Sequence, residues 1–123
     1  MKLRIHGDSL RLRLTQAEVR RLANGQEIEE TAHFAPGASL SIAVNVSPTA
    51  TAMAASLEST RITMVIPQVL IPGWADSDQV ALSGSQPAGG GRTLELLVEK
   101  DFQCLHSDSA ENADAFPNPR EAT

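Results

Sequence analysis

Alternation opens the chain. From Lys2 to Leu14, KLRIHGDSLRLRL, charged and apolar residues exchange places with a period of two, the side-chain period of a β-strand. A two-residue turn at Gly7-Asp8 pairs Ile5 with Leu10, Arg4 with Arg11, Leu3 with Leu12 and Lys2 with Arg13. That register gathers Leu3, Ile5, Leu10 and Leu12 on one face and Lys2, Arg4, Arg11 and Arg13 on the other. Like charges opposite each other destabilise a ladder, so the basic face calls for carboxylates, an anionic ligand or open water.

The period then lengthens. Thr15-Gln-Ala-Glu18 has the pattern of a capping box, Val19, Leu22 and Ala23 recur at helical spacing, and Asn24-Gly25 supplies a left-handed exit, which predicts a helix over Gln16 to Ala23. From Gln26 the period returns to two. Ile28, Ala32 and Phe34 alternate with Glu27, Glu29, Thr31 and His33, while Glu30 falls on the apolar side and marks an edge or strand end. After a turn at Ala35-Pro36-Gly37, Leu40, Ile42, Val44 and Val46 give the cleanest half-buried strand. Thr49 to Leu57 and Arg61 to Ile66 read as a hairpin turning at Glu58-Ser59-Thr60. Pro67 and Pro72-Gly73 bracket a crossover with a helical turn, in which Trp74 plugs the core and its indole N–H seeks an acceptor. Val80 to Ser83 begins a strand that ends at a loop over Gly84 to Gly91, and Arg92 to Asp101 is the longest strand, with Leu94, Leu96 and Val98 on one face. No internal repeat of fixed period is read.

These elements predict a mainly β fold: an antiparallel meander that closes into a barrel or folds into a two-layer sandwich, with one short helix after the first hairpin. One domain is expected over residues 1–105, followed by an acidic, irregular tail over 106–123 in which Phe116 is a possible anchor. The aromatic content is only 3%, so the interior is built from aliphatic residues, and no ring surface is offered to single-stranded nucleic acid. Nucleic acid is therefore a disfavoured partner. Charge is uneven. Residues 1–21 hold six of the ten basic side chains and two of the fifteen acidic ones, a basic head on a body that brings the net charge to -5. No apolar run reaches membrane-spanning length, no secretory pattern is read at the start, and the single Cys104 fits a reducing compartment, so a cytoplasmic address and no membrane partner are expected.

Two constellations bear on chemistry. Lys2, Arg4, Arg11 and Arg13 form a basic strand face, and Glu95, Glu99 and Asp101 form an acidic one. Inside a closed barrel the first set would hold a phosphate chain and the second a divalent metal. This is similar to the triphosphate tunnel enzymes, which act on triphosphates inside an eight-stranded barrel. The resemblance implies anion binding by Lys2, Arg4, Arg11 and Arg13 and a metal at Glu95 and Glu99. The chain departs from that family's acidic E-x-E-x-K first strand, and Leu97 interrupts its carboxylates. The competing reading is a solvated face of surface ion pairs, each worth little. Cys104 and His106, two apart, form a second candidate metal site, against which stands the absence of paired ligand motifs.

The stretches MKLRIHGDSLRLRLTQAEV at Met1 to Val19, EKDFQCL at Glu99 to Leu105 and FPNP at Phe116 to Pro119 resemble an uncharacterised family of small bacterial proteins. That resemblance implies no activity, cofactor or partner. The reading therefore favours a soluble binding or structural module of unknown function over an enzyme. Its alternatives are a phosphoanion-binding or metal-dependent phosphohydrolase barrel and a protein-interaction or homo-oligomeric module.

Overall fold

The computed structural model describes residues 1–101, so Cys104, His106, Phe116 and the predicted tail lie outside the described residues. Lys2–Ile5 (β1) and Ser9–Leu14 (β2) form the first hairpin in the predicted register, closed by the His6 N–H donating to the Ser9 carbonyl at 3.2 Å. The helix Gln16–Ala23 (α1) has both halves of its capping box: the Glu18 amide donates to Thr15 Oγ1 at 3.3 Å, and Glu18 Oε1 accepts from the Thr15 amide at 2.9 Å. Gly25, at φ 82°, ends it. Next come Ile28–Ala35 (β3), Ala38–Ser47 (β4), Ala54–Glu58 (β5) and Arg61–Pro67 (β6). A 3₁₀ turn at Gln68–Leu70 leads into the short helix Ile71–Ala75 (α2), and Ala81–Gly89 (β7) and Arg92–Lys100 (β8) complete the described fold.

The chain is mainly β, with two four-stranded sheets ordered β1-β2-β8-β7 and β3-β4-β6-β5. Two expectations need correction. The sheets are not all antiparallel, because β2 pairs with β8, and β4 with β6, in parallel. Among the described residues no strand pair joins one sheet to the other, so they close no barrel. The strand after Val80 also outruns its prediction, continuing to Gly89 through Gly84 and Pro87. An edge strand tolerates both, since its free side demands no N–H from proline. Gly84 has its own reason: a Cβ there would lie 3.0 Å from the Met53 Cβ.

The topology repeats. Replacing each strand of the first half by the one four further on turns β1-β2-β8-β7 into β5-β6-β4-β3, which is the second sheet read backwards. Residues follow suit. The partners Leu3↔Leu12 match Ala55↔Met64, an offset of 52, while Ile28↔Val44 match Leu82↔Val98, an offset of 54. By the first offset, 52, Val19 and Leu22 of α1 answer to Ile71 and Trp74 of α2, and all four are buried. Gly7 at φ 56° answers to Ser59 at φ 55°. Each of these turns is tied to its parallel neighbour by an identical bond of 2.9 Å, Glu95 N–H to the Asp8 carbonyl and Ser41 N–H to the Thr60 carbonyl.

Both sheets and both helices feed one core, including Leu12, Leu14, Leu96 and Val98 from the first sheet and Ile28, Val44, Met64 and Ile66 from the second. Each fully buried aliphatic side chain contributes about 1.5–3 kcal/mol relative to exposure. Trp74 is fully buried, and its indole N–H donates to the Val80 carbonyl at 3.1 Å, the partner that its burial requires. The helices cap the end of the core at which β2 and β6 finish. All four hairpin turns lie at the opposite end.

Candidate functional site

Alternation decides what each strand of the first sheet shows to solvent. In β2, Leu12 and Leu14 point into the core, so Arg11 and Arg13 point out. The same holds for Lys2 and Arg4 in β1 and for Glu95, Leu97 and Glu99 in β8. The two charged strand faces therefore meet on neighbouring strands, on the outside of the sheet and away from the core. The parallel pairing sets Arg13 beside Glu99, Arg11 beside Leu97 and Ser9 beside Glu95.

Carboxylates answer half of the basic face. Arg13 Nε donates to Glu99 Oε1 at 2.7 Å, and Lys2 Nζ lies 3.1 Å from Asp101 Oδ2. Arg11 reaches the same Glu99 oxygen only at 3.6 Å, and its side chain is 36% exposed. Arg4, directly across from Arg11, is exposed and makes no ion pair among the described residues. Arg4 and Arg11 border a shallow depression of about 140 Å³ with His6 and Ser9. The Ser9 hydroxyl donates to the His6 carbonyl at 2.7 Å, which fixes the floor of that depression. Two guanidiniums and an imidazole edge around one recess form a donor-rich, electropositive surface suited to an oxyanion.

The sequence singled out Lys2, Arg4, Arg11 and Arg13, and the structure brings all four to one face: Lys2 and Arg13 are closely ion-paired, Arg11 shares Glu99 with Arg13 at longer range, and Arg4 makes no ion pair among the described residues. His6 and Ser9 were not read as site residues. The signal was present in the turn register, which places His6 across from Ser9 on the outer face. Glu95 and Glu99 share that face with Leu97 between them, about 13 Å apart along an extended strand. That span is beyond a shared metal ion, whose oxygen ligands lie at about 2–2.6 Å. Glu99 is moreover held by two arginines. Among the described residues, no group of three or more His, Cys, Asp and Glu side chains is arranged to hold a metal.

A larger cavity, about 810 Å³, lies at the helix end between α1, α2 and the end of β8, lined among others by Leu14, Val19, Arg20, Asp78, Lys100 and Asp101. Two of its charges are engaged within the chain. Lys100 Nζ donates to the Ser77 carbonyl at 2.7 Å and sits 6.0 Å from the Trp74 ring, while Asp101 holds Lys2.

Near that end the Met1 ammonium is buried between Glu18, at 2.9 Å, and Glu30, at 2.7 Å. Burial alone would lower the pKa of the amine, yet the hydrogen bonds it donates to Glu30 and Glu18 outweigh that and hold the value above the ordinary 8.0. Glu18 is shifted the other way. Burial would raise its carboxyl, but the Thr15 amide and the Met1 ammonium keep it below the ordinary 4.5. Glu30, out of phase in the sequence, stays half-exposed on its strand and has this ammonium as its partner.

Among the described residues no helix is long and apolar enough to cross a membrane. No curated protein and no solved structure matches the chain. One family model spans residues 1–120, in keeping with the uncharacterised family expected from the chain's two ends, and the protein belongs to the family of unknown function DUF7009.

Proposed function

We propose that this domain is a binding module, not an enzyme, and that the outer face of its first sheet recognises an oxyanion such as a phosphate group through Arg4 and Arg11. One observation carries the reading: a cross-strand arginine pair beside a recess, of which one member has no carboxylate partner among the described residues and the other shares one already engaged by Arg13. Leaving two like charges face to face costs stability, and an anion between them relieves that cost. The counterparts in the second sheet support the same reading, because Ser56 and Thr63 occupy the places of Arg4 and Arg11. The fold itself thus makes no demand for arginine there. Lys2 and Arg13 act as flanking charges that tune the field. A reducing, cytoplasmic setting fits the single Cys104.

The test is thermal shift and calorimetry with phosphate, pyrophosphate and triphosphate, with and without Mg²⁺ or Mn²⁺. Ligand at a hundredfold excess over its Kd stabilises by about 2.7 kcal/mol, a rise of several degrees for a domain of this size. Arg4→Ala and Arg11→Ala should each abolish the shift, and added salt should weaken it. A shift that survives both substitutions, or no shift with any of the three anions, overturns the proposal. A shift that appears only with the metal returns the phosphohydrolase alternative to consideration, with Glu95→Gln as its next variant.

A further inference from the structure

The two sheets face each other across the core, and their edge strands flank it on two sides: β5 approaches β7 on one, while β1 and β3 edge the other. The first is sealed by a side chain. Gln86 of β7 receives the Ala55 N–H on its Oε1 and returns its own Nε2–H to the Ala55 carbonyl, both at 2.8 Å, so its amide imitates one rung of a ladder. Met53 packs on Gly84 beside it. The second seam, between β1 and β3, is built from the corresponding strands but is more open and lacks the seal. Leu3 stands in the place of Ala55 and Ala32 in the place of Gln86, and the contact described along it is the Met1 ammonium on Glu30.

The closing bond of the first hairpin determines which backbone groups this leaves at the edge. Because the His6 N–H bonds to the Ser9 carbonyl, the N–H and C=O groups of Leu3 and Ile5 point away from β2 and toward the seam. Large apolar side chains lie toward the turn end of the same seam: Ile5 is 60% exposed and Phe34 is 73% exposed. Charge separates its two lips. β1 carries Lys2 and Arg4 on its outer side, while the chain entering β3 carries Glu27 and Glu29, which share the single Arg61.

We infer that the β1/β3 seam is the contact surface for a second copy of this chain. Both strands run from the helix end to the turn end, so a twofold axis parallel to them lays β1 of each copy beside β3 of the other. Each first sheet then continues into its partner's second sheet. Leu3 and Ile5 gain ladder partners, Ile5 and Phe34 lose their exposure, and basic lips meet acidic ones. Charges on an edge strand ordinarily keep edges apart. Here they forbid only the β1-to-β1 pairing and favour β1-to-β3, so charge selects the arrangement. Arg11 faces outward from an inner strand and takes no part.

Sedimentation equilibrium of the full chain, in buffer free of phosphate, tests this. The wild type should rise with concentration from 13.1 kDa to twice that mass. Ile5→Lys places a charge in the buried seam and should raise the dissociation constant at least about tenfold. Ala32→Gln installs the amide that seals the opposite seam and should give a folded monomer that melts no lower than the wild type. Arg11→Ala, which removes the proposed anion site, should leave the dimer untouched, so the two proposals fail separately. A wild type that stays monomeric to about 1 mM overturns the inference, whether or not its Leu3 and Ile5 amides are protected from exchange by some other segment. So does a dimer indifferent to both Ile5→Lys and Ala32→Gln.

Discussion

On the outer face of the first sheet Arg4, Arg11 and Leu97 stand where the second sheet has Ser56, Thr63 and Ala43. On the inner faces the same comparison returns like for like: Leu12 and Met64, Leu14 and Ile66, Val98 and Val44, all fully buried. Core positions must match in size and apolarity because a misfit of one methylene is felt in a close-packed interior, whereas outward positions obey no such rule. A strongly charged outer residue with an uncharged counterpart is therefore not explained by the fold. The difference singles out the recess around Arg4 and Arg11, whereas on the second sheet's outer face two carboxylates, Glu27 and Glu29, share Arg61.

The comparison breaks most visibly in the helices. Trp74→Ala should cost about 3–5 kcal/mol and strand the Val80 carbonyl, against about 2–5 kcal/mol for its smaller counterpart Leu22→Ala, read by chemical denaturation. Next in size is the seam. Gln86→Ala leaves the Ala55 N–H and C=O unpaired at a part-buried site, for an expected loss of about 1–3 kcal/mol and faster exchange of the Ala55 amide. No comparable effect should follow from Ala32→Gly.

The ammonium clamp gives a smaller effect with a defined sign. The Glu18 carboxyl is lowered on folding, so its contribution is present above the ordinary 4.5 and is lost as pH falls through the folded value. The Met1 amine is raised, so its contribution is present below 8.0 and is lost as pH rises through the folded value. Stability from the clamp should therefore plateau between those limits. Glu18→Gln should lower that plateau by about 1 kcal/mol and flatten both shoulders in a series of melts across pH. Smallest is the turn. Ser59 holds a left-handed φ that Gly7 adopts without strain, so Ser59→Gly should gain about 0.5–1 kcal/mol and Gly7→Ser should lose a similar amount.

Local order was legible because local rules set it. The Gly7-Asp8 register, the Thr15–Glu18 box and the exit at Gly25 each depend on residues a few positions apart. Strand pairing between distant segments was not, and an alternating pattern such as LRLRL is equally content beside a parallel or an antiparallel neighbour. The repeat escaped for a related reason. Its halves share few identities, such as Met1 with Met53, Gln16 with Gln68 and Gly37 with Gly91, and the offset slips from 52 to 54 after the helix. Burial asks only for apolar volume, so Leu22 and Trp74, different in size and shape, fill equivalent buried places. The basic face was visible from Lys2, Arg4, Arg11 and Arg13 alone. Which of them a carboxylate neutralises depended on β8 lying parallel to β2, and that no local pattern encodes.

The order of strands also sets a timetable for synthesis. The second sheet is drawn from one unbroken stretch, residues 28–67, and is whole once β6 has left the ribosome. The first hairpin, made earliest, has its parallel neighbour in β8 and spends most of translation with that flank of β2 unsatisfied. Its four cationic side chains keep such a ribbon dissolved while it waits, and a chain halted before Arg92 should show exchange protection in β4 and β6 but none at Leu10, Leu12 and Leu14, whose amides face the missing β8.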